Sequence, residues 1–132
     1  MRTKFTPAYI DSLSSGEIFV FGSNLAGMHG GGAAWVAHMK FGAEWGVSVG
    51  LTGQSYAIPT MQGGVETIAP YVDDFIAFAA EHPDLTFLVT PIGCGIAGFT
   101  PEEIAPLFVK ALDAPNVLLP KVFVDILNKE QE

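Results

Sequence analysis

The chain has 132 residues, 49% of them apolar and 15% charged, which supports one sizeable buried core and leaves no room for two ordinary domains. Fourteen acidic against six basic residues give a formal charge of −8, a surface that repels a polyphosphate backbone and argues against extended nucleic acid as a partner. The single Cys94 excludes an intrachain disulfide, and His29, His38 and His82 are too scattered for a structural zinc site, so neither a metal nor a resident cofactor is expected. No apolar run reaches the roughly 18 residues of a membrane span, and the amino terminus lacks the apolar stretch of a signal peptide, so a soluble, cytoplasmic protein with no membrane partner is expected.

In chain order, Thr6-Pro7 places an N-cap residue before a proline at a first helical position, which predicts a short helix over Pro7 to Leu13. Glu17 to Phe21 reads as a buried strand. A glycine-rich segment, Gly22 to Gly32, follows it, and the run from Gly32 to about Lys40 has the length and composition of a helix. Residues 41 to 53 are glycine-rich and read as a long ordered excursion, after which Gln54 to Pro59 is a strand limited by its proline, which suits an edge position or a strand end.

Val65, Ile68, Val72, Phe75, Ile76 and Ala79 recur at helical spacing opposite Glu66, Asp73, Asp74 and Glu81, which predicts an amphipathic helix through about Glu81. Leu85 to Thr90 is the strongest strand signal, continuous enough to be buried on both faces of a mainly parallel sheet. It feeds a second glycine-rich segment, Gly93-Cys-Gly-Ile-Ala-Gly98. Thr100-Pro-Glu-Glu103 carries the pattern of a capping box, with Ile104, Leu107, Phe108 and Ala111 as the core stripe of the helix it starts. Asn116 to Leu119 is a last short strand, and Lys121 to Lys129 a closing helix.

Both glycine-rich segments follow a strand and precede a helix, a position that brings them together at the carboxyl edge of an open α/β sheet, where ligands bind. Gly30, Gly31 and Gly32 let backbone N–H groups approach a phosphate without obstruction, and the following helix adds its amino-terminal dipole. Gly93, Gly95 and Gly98 offer the same from the other side, so the pair suits a diphosphate. Neither segment has the Gly-x-x-x-x-Gly-Lys-Ser/Thr pattern of a P-loop.

The stretch Ile18-Phe-Val-Phe-Gly-Ser-Asn24, with Gly30-Gly-Gly-Ala-Ala-Trp-Val-Ala-His-Met-Lys-Phe-Gly42, resembles the strand, asparagine, glycine loop and helix of macrodomains. Thr90 to Phe99 resembles the second signature of the branch that includes the terminal ADP-ribose protein glycohydrolase. The resemblance implies a single macrodomain-like domain over 1–132, a three-layer α/β/α sandwich around a mixed, mainly parallel sheet. It implies binding of ADP-ribose or a related NAD-derived nucleotide, free or carried on an ADP-ribosylated macromolecule. The implied ligand contacts are Gly22, Ser23, Asn24, Gly30, Gly31, Gly32 and Ala33 in the first block, and Ile92, Gly93, Cys94, Gly95, Ile96, Ala97, Gly98 and Phe99 in the second. Asn24 would bond ribose hydroxyls, and Asp11 would be the upstream acid that recognises adenine.

Two positions depart from that branch. Its aspartate after the Gly-Cys-Gly motif falls on Ala97, and its lysine after the third strand falls on Met61, so its lysine-and-aspartate chemistry does not carry over. His29, in the first loop, is the remaining candidate for catalysis; Cys94 reads more readily as a small buried spacer. Among the aromatics near the first loop, Trp35, Phe41, Trp45 and Tyr56 are candidates either for stacking on a base or ribose or for core packing, and Phe99, directly after Gly98 in the second loop, is the better-placed aromatic to face a ligand. Three functions stand open: a nucleotide-binding module, a hydrolase of ADP-ribosyl esters or ADP-ribose phosphate, and a protein-interaction module with a vestigial cleft.

Overall fold

The computed structural model describes residues 4–130. Among these, the order is β1 (Glu17–Ser23), α1 (Gly32–Lys40), β2 (Gly50–Thr52), β3 (Ser55–Pro59), α2 (Val65–Glu81), β4 (Thr86–Val89), α3 (Pro101–Ile104), a 3₁₀ segment (Ala105–Asp113), β5 (Val117–Leu118) and α4 (Lys121–Glu130). The strands form one mixed, mainly parallel sheet in the order β2-β3-β1-β4-β5. β1 is central, parallel to β3 on one side and to β4 on the other, and only β2 runs antiparallel. No helix among the described residues is long and apolar enough to cross a membrane.

Alternation along β1 serves both faces. Ile18 and Val20 enter the larger core with Phe75, Phe87, Phe108 and Phe123, all four rings fully buried between the sheet and the helical segments after β3. Phe19 and Phe21 point the other way and pack with Phe41, Ala34 and Ala37, the two alanines letting α1 lie close to the strand. Deleting one of the buried rings would cost about 3–5 kcal/mol, which makes them the main specification of how the layers pack. Asn116 also ties the helical layer to the sheet, its side-chain amide donating to the carbonyls of Ala79, His82 and Leu85 at 2.9–3.1 Å where α2 ends.

Four sequence expectations are corrected. Residues 7–13 form no helix, because Thr6 does not act as an N-cap: its N–H and hydroxyl donate to the Leu119 and Leu118 carbonyls at 2.9 and 3.0 Å and hold the segment extended beside β5. The excursion at 41–53 contains a strand, β2, which takes the sheet edge and moves β3 inward. The capping box at Thr100 and Glu103 forms, yet the helix it starts runs one turn before tightening to 3₁₀. Pro106 has no N–H to give the i−4 carbonyl, so an α-helix cannot continue through it undisturbed. The last strand spans only Val117–Leu118.

Candidate functional site

The sheet order places a topological switch at the carboxyl ends of β1 and β4. The chain leaves β1 towards β3, and leaves β4 towards β5 on the other side, so the two connections diverge and a crevice opens between them. Gly22 sits where the strand ends converge. A Cβ there would lie 3.2 Å from the Thr60 hydroxyl and 3.4 Å from the Gly93 nitrogen, a fit tight enough that Thr60 would have to give by a few tenths of an ångström.

The first loop is shaped by Asn24. Its side-chain amide donates to the Met28 carbonyl at 2.9 Å and its side-chain oxygen accepts from the Met28 N–H at 3.0 Å, closing the turn over residues 24–28. The chain then passes through Gly30 and Gly31 into α1. That helix begins at an extended Gly31 with no side-chain cap and no acidic residue in its first turn. The N–H groups of Gly31, Gly32, Ala33 and Ala34 therefore have no acceptor among the described residues.

The second loop turns on itself, with Cys94 N–H donating to the Pro91 carbonyl at 3.2 Å, Gly98 N–H to Gly95 at 3.0 Å and Phe99 N–H to Gly93 at 2.8 Å. These bonds leave the N–H groups of Gly95, Ile96 and Ala97 without an acceptor among the described residues. Gly93, Gly95 and Gly98 have the Gly-x-Gly-x-x-Gly spacing of a dinucleotide fingerprint, but the mechanics of that motif are missing. The next helix starts only at Pro101, and the Thr100 hydroxyl and Glu103 carboxylate already cap it.

Between the loops lies a cleft of about 520 Å³. Of the predicted contacts, Gly22, Ser23, Asn24, Gly30, Gly31, Gly32, Ala33, Ile92, Gly93, Gly95, Ile96 and Ala97 line it. Ile96 reaches across it: a Cβ on Gly31 would stand 3.1 Å from the Ile96 Cδ1. Met61 and Ala97, the two positions that depart from the glycohydrolase pattern, also line the cleft. Met28, Ala34, Thr60, Thr90 and Pro91 join them without having been expected. Thr60 and Met61 follow β3, and their place beside β1 depends on a strand pairing that residue spacing does not reveal.

Other predicted residues lie elsewhere. Asp11 is exposed and pairs with Lys40 at 2.9 Å, and the hydrogen bond and charge of that lysine hold its carboxyl below the usual range. His29 is fully buried and does not line the cleft. Its Nε2 lies 2.9 Å from the Glu44 carbonyl, the geometry of an Nε2–H donor, and its Nδ1 has no partner among the described residues. The rings of Phe21, His38 and Trp45 surround it. Cys94 and Phe99 pack against the larger core. Burial, reinforced by Glu102 and Glu103, raises the Cys94 thiol above its ordinary range and keeps it protonated near neutrality. Gly98 supplies a positive φ of 83° to the turn and stays off the cleft wall. Of the four aromatics, Phe41 and Tyr56 are core residues, Trp35 lies exposed on α1, and Trp45 alone lines the cleft.

Among the described residues, no carboxylate, lysine, arginine, histidine or cysteine lines the cleft. Its described lining is glycine backbone, hydroxyls and apolar side chains. No group of histidine, cysteine and acidic residues among the described residues is placed to hold a metal ion. A second cleft of about 760 Å³ adjoins the first, sharing Ala33, Thr90 and Pro91 with it and lined further by Phe5, Tyr9, Ile10, Phe19, Val36 and Val122. No family model, curated protein or solved structure matches the chain.

Proposed function

We propose that the chain is a macrodomain-like, three-layer module that binds ADP-ribose or a related NAD-derived nucleotide, and does so without hydrolysing it. One observation carries this reading: Gly31 to Ala34 and Gly95 to Ala97, whose backbone N–H groups have no acceptor among the described residues, line one cleft from its two loops, with no ionisable side chain of the described residues in its lining. A diphosphate spans two such walls, drawing on the uncapped amino terminus of α1 from one side and the glycine turn from the other. The adenosine end extends past Ala33, Thr90 and Pro91 into the second cleft, whose apolar walls accept a purine. The distal ribose lies towards Asn24, whose carboxamide is occupied by Met28, so its part is to shape the loop.

Hydrolysis finds no support in this cleft, because among the described residues its lining has no acid, base or charged nucleophile. The vestigial reading is disfavoured by an open cleft of about 520 Å³. Isothermal titration with ADP-ribose, AMP and ribose 5-phosphate tests the proposal. The expected result is saturable binding of ADP-ribose, tighter than either fragment, with a thermal shift that grows with ligand concentration. No heat and no shift at millimolar ADP-ribose would overturn it, and release of a modified group from an ADP-ribosylated substrate would overturn the binding-only part.

A further inference from the structure

Trp45 is an indole that the fold goes to some length to place. It is 51% exposed although it lines the cleft. Its neighbours are tied down on both sides: Gly46 N–H donates to the Gly27 carbonyl at 2.8 Å, the Glu44 N–H to the Thr52 hydroxyl at 3.1 Å, and the Glu44 carbonyl meets His29 Nε2 at 2.9 Å. The indole itself rests edge-on against His29 and His38, with ring centroids 6.1 and 5.5 Å away. Among the described residues no ring is stacked parallel on the indole.

Its place along the cleft follows from the sheet. The second cleft is reached on the β4 side, through Thr90 and Pro91, whereas Met61 follows β3 on the opposite side of β1. Trp45, Met28 and Met61 line the first cleft together with the ends of β1 and β3. A nucleotide with its purine in the second cleft therefore brings its distal sugar towards Trp45.

We propose that Trp45 is a stacking platform, and that the preferred ligand is the intact pyridine dinucleotide, an ADP-ribose still carrying a planar cationic ring on its distal carbon. This rests on the ADP-ribose reading of the cleft. An aromatic side chain in a cleft wall that also carries the thioethers of Met28 and Met61 can take a flat ring, and a cationic ring gains further from the electron-rich indole. No basic side chain of the described residues lines the first cleft to oppose that cation, and the chain's formal charge of −8 favours it. The same charge disfavours a base held in a nucleic acid strand. With no acid or charged nucleophile in the lining, the bond to the ring is left intact.

The chain has two tryptophans, so Trp35→Phe leaves Trp45 as the sole indole reporter. In that background NAD⁺ and ADP-ribose are titrated by calorimetry and by tryptophan fluorescence, and the calorimetry is repeated with Trp45→Ala and Trp45→Phe. NAD⁺ is expected to bind about fivefold or more tightly than ADP-ribose and to quench Trp45 more deeply. Trp45→Ala should abolish the preference while keeping ADP-ribose binding, which also certifies its fold, and Trp45→Phe should keep much of it. ADP-ribose binding with an equal or weaker NAD⁺ affinity, or a preference unchanged in Trp45→Ala, overturns the stacking role and leaves the ADP-ribose reading standing. NAD⁺ binding and quenching without ADP-ribose binding supports the platform and overturns free ADP-ribose as ligand. Failure of both ligands overturns both, and tighter binding of an oligonucleotide with ADP-ribose on a base overturns the choice of the free dinucleotide. Should Trp45→Ala fail to fold, Trp45→Phe and the quenching decide.

Discussion

Gly27→Ala tests whether the first loop and the excursion are held together by backbone contact. Gly27 has a φ of 69°, and a Cβ there would meet the carbonyl carbon, oxygen and Cα of Gly46 at 2.4, 2.6 and 2.7 Å. None of these atoms belongs to a flexible side chain, so the two segments must part. An alanine in left-handed backbone costs about 1–2 kcal/mol. Separating the segments adds the loss of the Gly46 N–H bond to the Gly27 carbonyl, about 1 kcal/mol, and some unpacking, for a total of about 3 kcal/mol. Gly46→Ala is the control, since its φ of 94° carries the same backbone penalty while nothing lies within 4 Å of its Cβ. It should cost only about 1–2 kcal/mol. Urea denaturation followed by far-UV circular dichroism measures both, and melting temperatures should fall by roughly 10 and 4 °C for a domain of this size. Equal losses for the two variants would refute the argument, because the difference between them isolates the close approach.

Asn24→Ala removes both bonds to Met28, and should lower stability by about 1–2 kcal/mol in the same denaturation assay; unchanged stability would mean that the turn closes without them. Cys94 supplies a pH dependence. Burial first, then Glu102 and Glu103, raises its thiol above the ordinary value, so its contribution to stability is present in full below that value and is lost as pH rises through the folded one. Alkylation by iodoacetamide should be slow at neutral pH and keep accelerating beyond pH 9, and a plateau near neutrality would contradict the shift.

The elements that were legible in the residues are those in which local and tertiary preferences agree. β1 and β4 are compact apolar runs, α1 has helical length and composition directly after a glycine loop, α2 has strong helical periodicity, and each lies within two residues of its expected bounds. The Thr6-Pro7 pattern misleads because a hydroxyl that could cap a helix is taken by a carbonyl more than a hundred residues away, a competition invisible locally. β2 has three residues and no core-facing run, so its strand character comes wholly from pairing with β3. At the site, the two glycine segments were readable because strand ends in a parallel sheet share an edge. The fate of His29 was not: a loop histidine is sequence-ambiguous until Phe21, His38 and Trp45 are seen to enclose it. The amino-terminal wall of the second cleft was hidden for the same reason as Thr6, since Phe5 to Ile10 reach it through contacts with the far end of the chain.

The central position of β1 also has a cost during synthesis. Its residues pair with partners about 36 positions later in β3 and about 69 positions later in β4, as in Phe19 with Ser55 and Ile18 with Phe87. At roughly 5–20 residues per second, this strand, with its run Ile18-Phe-Val-Phe21, leaves the ribosome several seconds before either neighbour exists. Both its hydrogen-bonding edges are unpaired in that interval, the state in which strands associate with other chains. The strand that organises the finished sheet is thus the nascent chain's main aggregation risk, and the stage at which a chaperone would be most useful to it.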